Sequence, residues 1–436
     1  MPINVITGTA GADFLMGTNH RDLFLAGGGN DNIFPNGGND TAYGGSGDDT
    51  VFGYFGNILI YGGAGADRLV AASSVADSHS RVYGGAGDDD IFLREDLVLA
   101  RGGTGVDTIA VYLLGGGGAV HGGAGRDTLN LNFDTATFAQ FDPMVVLATG
   151  SDAEVSVNGN AALDIDGFER LIVRTLDGDD QVRGGAFGDL IDVAAGSNTV
   201  MAGAGDDIVT YRTGGQNQLD GGDGSDTLRI VYGYLDTGLD LDLSTDLGHD
   251  QHGSEFHNFE HFQVYGGGLA DHATLGDNAD VFRGSGGEDQ CFGNGGADQL
   301  SGGSRDDTLT GGTGADTLLG GRGQDVLSGG LDADRFVYRW LDQMQDEITD
   351  FTSGSDHIAI RARALDHLVP RGALDARLFH LDAAVGVGGQ FILRSGAAPD
   401  SHDLIWDANG DAAGGETLIV TLAPGATMTA SDILIF

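Results

Sequence analysis

The sequence predicts an all-β protein built as a solenoid, and three observations carry this prediction. A nine-residue unit of the form Gly-Gly-x-Gly-x-Asp-x-apolar-x recurs along the 436 residues, as in 44–52 and 311–319. Seven such units follow one another without a break from residue 8 to 70, and seven more from 275 to 337. Each unit ends in three residues, too few for a helix but enough for a short strand. A fixed internal period of this kind is typical of stacked repeat architectures.

The positions within the unit have separate roles. Glycines at positions one, two and four allow a tight turn with positive φ at little steric cost. Side chains alternate between the two faces of a strand, so position eight is predicted to point inward. In the last block position eight is Phe282, Cys291, Leu300, Leu309, Leu318, Leu327 and Phe336. Two units then make one coil of about eighteen residues, and coils stack at the strand spacing of about 4.8 Å.

The aspartate at position six predicts that the turns bind Ca²⁺, with multiple ions along the chain. Calcium takes about six to eight oxygen ligands, and carboxylates together with turned-in backbone carbonyls supply them. The predicted carboxylate ligands are Asp31, Asp40, Asp49, Asp67, Asp89, Asp107, Asp127, Asp180, Asp189, Asp207, Asp226, Asp280, Asp289, Asp298, Asp307, Asp316, Asp325 and Asp334. The predicted turn glycines are Gly44, Gly45, Gly47, Gly62, Gly63, Gly65, Gly84, Gly85, Gly87, Gly293, Gly295, Gly302, Gly303, Gly311, Gly312, Gly314, Gly320, Gly321 and Gly323. Ile58, Asn198 and Gln216 replace the aspartate in three units.

Composition indicates that cations drive folding. The chain has 65 acidic and 21 basic residues and a formal net charge of −44, so it should repel itself when no ion is bound. One inward apolar side chain per nine residues buries little surface, and ligand binding then supplies folding free energy. An acidic disordered tail is the alternative, but the regular apolar position eight argues against it.

Composition also excludes several classes of partner. No basic patch is present, which argues against nucleic acid, and no apolar run is long enough to predict a membrane span. The single cysteine, Cys291, occupies an inward position and is interpreted as a small buried hydrophobe. Residues 1–7 lack the basic stretch and apolar core of a cleaved secretory leader. Calcium sites of this kind nevertheless suit the calcium-rich exterior, which predicts another export route.

The repeats divide the chain into six predicted segments. Residues 1–130 are a first repeat block with a short spacer, 175–229 a second block and 275–337 a third. Glycine-poor β inserts are predicted at 131–174 and 230–274, and both end in a Phe-Glu pair, Phe168-Glu169 and Phe259-Glu260. We interpret the inserts as wider coils. Residues 338–436 are predicted to be a β-rich cap, with strands near 391–393, 403–406 and 417–422 and a polar hairpin turn at 407–411.

These units resemble the RTX family of hemolysin-type calcium-binding repeat proteins. The tail resembles the C-terminal region of the serralysin group, in which Asp-x-Ile-x-Asp-Phe-x-x-Gly-x-Asp occurs, here at 346–356. Its last five residues, one acid and four apolar, look like that family's export signal. The resemblance implies a parallel β-roll with one calcium between successive turns on each edge. It also implies type I secretion, with the secretion machinery as a partner and an extracellular location.

No catalytic residue is predicted. The His-Glu-x-x-His protease motif of serralysins is absent, and residues 257–261 match the inverted zinc motif His-x-x-Glu-His. That motif requires a helix, whereas this segment lies in a β context and aligns with 166–170, whose flanking residues, Asp166 and Arg170, do not form a zinc pair. The acidic clusters 134–142 and 236–246 leave open a lyase or epimerase in which calcium polarises a uronate carboxylate.

The leading functional hypothesis is a secreted, calcium-loaded structural component of a surface layer, matrix or filament. Repeats and export tail make up nearly the whole chain, and open strand edges favour self-assembly into a homo-oligomer or lattice. The first alternative is an adhesin or carbohydrate-binding module that holds surface polysaccharide. The second is a polysaccharide-active or metal-dependent enzyme with its site in the 131–174 or 230–274 insert. Repeats alone do not separate these functions.

Overall fold

The computed structural model describes residues 3–72, 79–95, 97–113, 118–133, 144–147, 154–157, 160–212, 214–232, 237–365, 368–385, 388–410 and 414–436. The chain forms two compact units, Met1–Asp226 and Thr227–Phe436. Each unit is a parallel β-solenoid, and the protein is all-β with 3% helix. The predicted fold class, a parallel β-roll, is confirmed.

The described strands of the first unit are short and follow one another closely. They are β1 (Asn4–Thr7), β2 (Phe14–Met16), β3 (Asp22–Gly28), β4 (Asn32–Phe34), β5 (Asp40–Ser46), β6 (Thr50–Gly53), β7 (Ile58–Ala64), β8 (Arg68–Ala72), β9 (His79–Ala86), β10 (Asp90–Glu95), β11 (Leu97–Thr104), β12 (Thr108–Leu113), β13 (Gly118–Ala124), β14 (Thr128–Phe133), β15 (Met144–Leu147), β16 (Glu154–Val157), β17 (Asn160–Asp166), β18 (Arg170–Arg174), β19 (Gln181–Arg183), β20 (Leu190–Val193), β21 (Thr199–Ala204), β22 (Ile208–Tyr211) and β23 (Gln218–Asp223).

Strands of the first unit alternate between two parallel sheets. From β1 to β14, odd-numbered strands form the first sheet and even-numbered strands the second. Each strand pairs with the next strand of its own sheet, one coil further on. Leu15 lies opposite Ile33, and Ile33 opposite Val51, so the register advances by eighteen residues. The predicted coil of two nine-residue units is confirmed.

The core of the first unit is a pair of columns of position-eight side chains. In β6 Val51 is fully buried while its neighbours Thr50 and Phe52 are partly exposed, which is the alternation predicted for a strand with one inward face. The columns are completed by Leu15, Phe24, Ile33, Ala42, Ile60, Leu69, Val82, Ile91, Ala100, Ile109, Val120 and Leu129, all buried.

The first insert widens one coil without breaking the second sheet. Strand β14 pairs in parallel with β18, so that Leu129 lies opposite Leu171 although 42 residues separate them. The described part of the intervening chain contributes β15, β16 and β17, which pair antiparallel in that order. Strand β17 also pairs in parallel with β13 and so returns the chain to the first sheet.

The described elements of the second unit are strands and four 3₁₀ helices. The strands are β24 (Thr227–Val231), β25 (Asp240–Asp242), β26 (Leu247–Asp250), β27 (Glu255–His257), β28 (His261–Tyr265), β29 (His272–Thr274), β30 (Val281–Arg283), β31 (Gln290–Gly295), β32 (Gln299–Ser304), β33 (Thr308–Thr313), β34 (Thr317–Arg322), β35 (Val326–Leu331), β36 (Arg335–Tyr338), β37 (Asp346–Ile348), β38 (His357–Ile360), β39 (Gly372–Ala373), β40 (Phe379–Leu381), β41 (Gln390–Ser395), β42 (His402–Asp407), β43 (Glu416–Leu422) and β44 (Ile433–Ile435). The 3₁₀ helices are Leu341–Gln343, Ala362–Leu365, Ala376–Leu378 and Ala430–Asp432.

The second unit repeats the two-sheet plan and ends in a cap. Leu300 lies opposite Leu318 in one sheet, and Leu309 opposite Leu327 in the other. Strands β41, β42 and β43 form the three predicted cap strands and pair antiparallel, while β43 also pairs in parallel with β37. None of the described helices is long and apolar enough to cross a bilayer.

Candidate metal sites

The position-six carboxylates are joined to one another by a repeated hydrogen bond. The backbone amide of Asp31 donates to Oδ1 of Asp49 at 2.8 Å, and the amide of Asp280 donates to Oδ1 of Asp298 at the same distance. Each acceptor lies one coil beyond its donor at the start of the neighbouring strand in the same sheet. We call such a series of turns a carboxylate ladder. In the first unit a ladder follows the second sheet, with Asp40 the one acceptor carboxylate found at the first sheet among the described residues, and in the second unit a ladder follows each sheet.

The ladders account for most of the predicted carboxylate ligands. In the first unit, side chains that accept from a backbone amide one coil earlier are Asp31, Asp40, Asp49, Asp67, Asp89, Asp107, Asp127, Glu169, Asp189, Asp207 and Asp226. In the second unit they are Asp271, Asp280, Asp289, Asp298, Asp307, Asp316, Asp325, Asp334, Asp346 and Asp356. The donor–acceptor distances run from 2.6 to 3.1 Å.

The second carboxylate oxygen has no donor at most of these positions. Oδ2 is buried and accepts no hydrogen bond at Asp31, Asp49, Asp67, Asp89, Asp107, Asp127, Asp207, Asp289, Asp298, Asp307, Asp316, Asp325, Asp334 and Asp346. A buried polar atom without a partner costs about 1–3 kcal/mol, and more when it is charged. Its regular recurrence in a folded chain calls for a common explanation, and a bound ion is one.

The surroundings of Oδ2 are oxygen-rich. A Cβ placed on Gly293 would collide with both Oδ2 of Asp298 and the carbonyl oxygen of Gly311, so these two oxygens lie beside the same small space. Glycine is required at position one because a side chain would fill that space. At positions two and four the requirement is conformational, since Gly312 and Gly314 both have φ of 117°. A carboxylate and a carbonyl oxygen facing one another repel unless a cation lies between them, and both are ligands that calcium prefers.

Electrostatics agree with the geometry. Burial, together with neighbouring carboxylates, raises the pKa of Asp298 and of Asp307 to about 8, against the opposing effect of the backbone hydrogen bond. Asp316 and Asp325 have pKa values raised to about 6, again chiefly by burial. Each ladder therefore favours states in which the negative charge is neutralised, by a proton or by a cation.

The donor set fits calcium better than a transition metal. Among the described residues no three His, Cys, Asp or Glu side chains converge as a metal site. A cation at a ladder would instead be held by single carboxylates from the turns and by glycine carbonyls, which are hard oxygen ligands. Bound calcium would supply the positive charge that pairs with each orphaned Oδ2.

Two predicted ligands differ from the others. Oδ2 of Asp189 accepts from the amide of Gly185 at 2.6 Å, and Oδ2 of Asp280 accepts from the amide of Gly276 at 3.1 Å. In these turns, as at Asp271 and Asp356, the backbone itself satisfies the second oxygen, so these carboxylates lack the orphaned atom found at most ladder positions.

Three departures from the repeat resolve in different ways. The prediction that Gln216 replaces an aspartate is wrong, because Gln216 is exposed and Asn217 accepts the ladder bond from the amide of Asn198. The unit that contains Gln216, residues 211–220, has ten residues, which shifts the register by one. At Ile58 the amide donates to Oγ of Ser80, so a hydroxyl stands in the place of a carboxylate.

Asn198 shows what an amide does at this position. Its Oδ1 accepts from the amide of Asp180 at 3.0 Å, as an aspartate would. Its Nδ2 donates to the carbonyl of Ala194 at 3.2 Å and to Oδ1 of Asn217 at 2.9 Å. The amide nitrogen thus bonds to oxygens that a cation would otherwise bridge.

One predicted glycine lies beside its expected place. Gly296, with φ of 100°, takes the fourth position of its turn, and Asn294, with φ of 67°, takes the second. Gly295, which was predicted, is the third residue of that turn and lacks a positive φ.

Sequence reasoning missed four ladder carboxylates. Asp271 belongs to a regular unit, 266–274, that lies within the predicted second insert. Asp346 and Asp356 follow their predecessors by 21 and 22 residues, and no glycine pair precedes either of them. Glu169 ends the first insert and reaches the amide of Asp127 with Oε2 at 2.7 Å, so the recurrent Phe-Glu pair was the available signal.

The two histidines of the zinc-like motif lie apart in the fold. His257 ends β27 and His261 begins β28, and these strands belong to different sheets. Nε2 of His257 lies 3.9 Å from Glu255, and Nδ1 of His261 lies 3.2 Å from the carbonyl of Ala279. Cys291 is fully buried at its inward position, as predicted, and burial raises the pKa of its thiol.

The fold and the ladders define a β-roll whose candidate metal sites recur from turn to turn, and comparison with known proteins identifies its family. The family model described as the RTX calcium-binding nonapeptide repeat matches residues 3–33, 26–57, 34–69, 77–96, 175–209, 212–229, 265–300 and 301–336. The chain belongs to the RTX repeat proteins and carries these repeats in all three predicted blocks. No curated protein sequence matches it significantly.

Two solved structures are similar to parts of the chain. The AlgE6R3 subunit from the Azotobacter vinelandii mannuronan C5-epimerase is 24% identical, with a TM-score of 0.23, over 38% of this chain and 78% of that one. The extracellular lipase LipA from Serratia marcescens is 16% identical, with a TM-score of 0.20, over 71% of this chain and 45% of that one. This chain therefore spans less than half the length of the lipase.

Proposed function

We propose that the protein is exported by a type I pathway and folds outside the cell when calcium fills its carboxylate ladders. The observation that supports this most directly is the buried Oδ2 that recurs without a donor, as in Asp298 and Asp307. Before calcium binds, these oxygens face carbonyl groups and other carboxylates, and folding is opposed. Calcium binds only the folded arrangement of turns, so its binding free energy stabilises that fold.

The calcium concentration is higher outside the cell than in the cytosol, so calcium-driven folding takes place only after export. Sites built from carboxylates and carbonyls at turns bind in the range that external calcium reaches and cytosolic calcium does not. A chain of net charge −44 stays expanded in the cytosol and compacts on arrival outside. This supports an extracellular location, in agreement with the resemblance of the last five residues to an export signal.

The role proposed for the folded protein is structural, as a component of a surface layer, matrix or filament. Support comes from the architecture: the described residues form stacked coils in both units, and the aromatic rings of Tyr43, Tyr61 and Tyr83 stack along the outside at 4.8 and 4.9 Å. Such a column ties successive coils together from outside, as the ladders do at the turns.

Sedimentation velocity of the purified chain tests both parts of the proposal. In calcium-depleted buffer we expect a slow, expanded monomer, and in millimolar calcium a compact species that associates into regular assemblies. A compact monomer at every accessible concentration would retain calcium-driven folding and reject the structural role. An unchanged sedimentation coefficient would reject both.

A further inference from the structure

One edge of the first unit departs from the ladder pattern over several consecutive coils. At the first sheet, position six holds Asp22 and Asp40 and then Ile58 and Ser80. Gly118 follows in register two strands later. At the second sheet of the same coils the carboxylates continue without interruption. Beyond Asp40, these positions of the first-sheet edge therefore have neither the carboxylate ligands of a ladder nor their negative charge.

A groove lies along this carboxylate-poor edge. Its volume is about 650 Å³, within the range of about 300–1,000 Å³ typical of ligand pockets. Leu59 and Leu99 give it an apolar floor, and Asn39 and Asn57 contribute amides. One carboxylate, Asp40, lines it; this side chain is buried, accepts the amide of Asp22 at 2.8 Å, and has a pKa raised to about 6 by burial.

The groove is basic in a strongly acidic protein. Arg21 and Arg81 line it together with His79. Both arginines are exposed, and neither guanidinium has an ion-pair partner among the described residues. In a chain with 65 acidic and 21 basic residues, two such arginines beside one groove are available to an anionic ligand. Arginine is also the side chain best suited to hold a carboxylate through two parallel hydrogen bonds.

The outer face of the first sheet also lacks acidic side chains and carries further basic ones. Outward residues of β5, β7, β9, β11 and β13, at positions seven and nine, are Thr41, Tyr43, Leu59, Tyr61, Arg81, Tyr83, Leu99, Arg101, Ala119 and His121, and none is acidic. Arg101 lies opposite Tyr83 in the sheet register and carries the basic surface one coil beyond Arg81. On the second sheet, by contrast, Asp90 occupies position seven of β10, and Asp48 and Asp88 lie at position five of the turns that precede β6 and β10.

From this charge, lining and extent we propose that the groove binds an acidic carbohydrate chain that carries carboxylate groups. Arg21 and Arg81 lie three coils apart, about 14 Å along the sheet at the normal strand spacing, so they engage carboxylates on different sugars of one chain. The amides of Asn39 and Asn57 face sugar hydroxyls, and the leucines contact the apolar faces of the rings. The site shares only Asp40 with the carboxylate ladders and goes beyond the structural role proposed above.

The same observations disfavour a nucleic acid in the groove. Tyr43, Tyr61 and Tyr83 stack on one another with interplanar angles of 3° and 9°, so no gap remains between their rings for a base. A dense row of phosphates is also repelled by a protein of net charge −44, whereas a less densely charged chain gains from the local arginines within a Debye length of about 8–10 Å.

The test is calorimetric titration of the calcium-loaded full-length chain with an oligogalacturonate of defined length. Free calcium is held equal in every arm, because calcium itself associates with uronates. A neutral cello-oligosaccharide and a single-stranded oligonucleotide of the same length form the comparison arms. We expect saturable binding of the oligogalacturonate, and weaker or no binding of the other two.

Arginine variants separate the groove from general electrostatics. Arg21→Ala and Arg81→Ala should each lower the affinity about fivefold, the upper end for one exposed ion pair. Arg68→Ala is the matched control, since Arg68 is also exposed and lies in β8 on the second sheet. Circular dichroism in calcium confirms that each variant is folded. Absence of binding, preferred binding of the oligonucleotide, or an equal loss with Arg68→Ala would each overturn the proposal.

Discussion

The backbone amide of Asp307 donates a 2.9 Å hydrogen bond to Oδ1 of Asp325, eighteen residues further along the chain. Both carboxylates are buried, and Oδ2 of each is left without a donor. The two side chains therefore belong to consecutive turns of one ladder, and a change at one carboxylate affects the other. Under the proposed function, a cation bound between such turns would order both, and calcium binding and folding should form a single cooperative process along each ladder.

This coupling predicts non-additive substitutions. Asp307→Ala and Asp325→Ala should each raise the calcium concentration at the folding midpoint and reduce the steepness of the transition. The double variant should lose less than the sum, because residues in direct contact couple. Calcium titrations followed by circular dichroism give the folding midpoint of the unchanged protein, of both single variants and of the double variant. Asp306→Ala is the control, since exposed Asp306 accepts a backbone hydrogen bond from Gln324 in the same turns; additive midpoint shifts would contradict a shared ladder.

Asn198 and Asn217 predict that a site can be added. With aspartate at both positions, the amide hydrogens that now occupy the turn are replaced by carboxylate oxygens. Asn198→Asp combined with Asn217→Asp should raise the number of calcium ions bound at saturation. Native mass spectrometry gives that number directly. Gln216→Asp adds the same charge at an exposed neighbour and should leave the number unchanged; an equal gain in that variant would mean that added charge alone recruits calcium.

The close approach at Gly293 predicts a steric effect. Gly293→Ala places a methyl group against Oδ2 of Asp298 and the carbonyl of Gly311. Overpacking of this kind costs about 1–3 kcal/mol, and here it also closes the space beside the carboxylate, so the calcium midpoint should rise. Gly268→Ala is the control, because a Cβ there would meet no atom within 4 Å and the residue lacks a positive φ. Equal midpoints for the two variants would show that position one needs no space.

The stability of the fold should depend on pH in opposite directions in the absence and in the presence of calcium. Burial raises the pKa of Asp298 and Asp307 to about 8, against an unfolded value of about 4. A raised carboxyl pKa means that the folded state binds more protons, so the stability from protonation is fully present below about pH 4 and is lost as the pH rises from about 4 to about 8. In calcium-depleted buffer, β-structure measured by circular dichroism should therefore increase from pH 8 to pH 5.

With calcium present the trend should reverse, since protons compete for the same oxygens and the calcium midpoint rises as the pH falls. A calcium-free chain that is better ordered at pH 8 than at pH 5 would contradict the burial of these carboxylates.

Cys291 should report on folding without any label being engineered. It is the single cysteine, it is fully buried, and burial raises the pKa of its thiol. Only the exposed thiolate reacts readily. The thiol should react quickly with a disulfide reagent in calcium-depleted buffer and at least tenfold more slowly, as a rough expectation from protection by the fold, in millimolar calcium. Equal rates in the two buffers would argue that the third block is already folded without calcium.

Periodicity predicted those parts of the fold that depend on position alone. The eighteen-residue register and the inward column through Leu300, Leu318 and Phe336 follow from a strand's two-sided geometry, and both were found. The placement of aspartates at turns followed for the same reason. The three cap strands were recognisable because apolar alternation does not require the repeat.

The features that the sequence did not reveal depend on contacts between individual atoms rather than on the spacing of residues along the chain. Only the structure, in which neighbouring coils are in contact, shows that a backbone amide donates to Oδ1 of the ladder aspartates while Oδ2 has no donor at most of them. Gln216 was misplaced because a ten-residue unit shifts the count by one. Asp346 and Asp356 were missed because their coils are longer and lack glycine pairs, although the amides of Asp325 and Asp334 bond to them as elsewhere.

The eighteen-residue register determines which changes in chain length each unit can tolerate. Loss or duplication of eighteen residues would keep every later aspartate on its own sheet, whereas nine residues would exchange the two sheets. Asp67 and Asp89 remain joined across 22 residues, and Asp107 and Asp127 across 20, so a few extra residues loop out without harm. Gene duplication can therefore lengthen such a unit one coil at a time, by about 4.8 Å per step, and each added coil brings the ligands for its own ions.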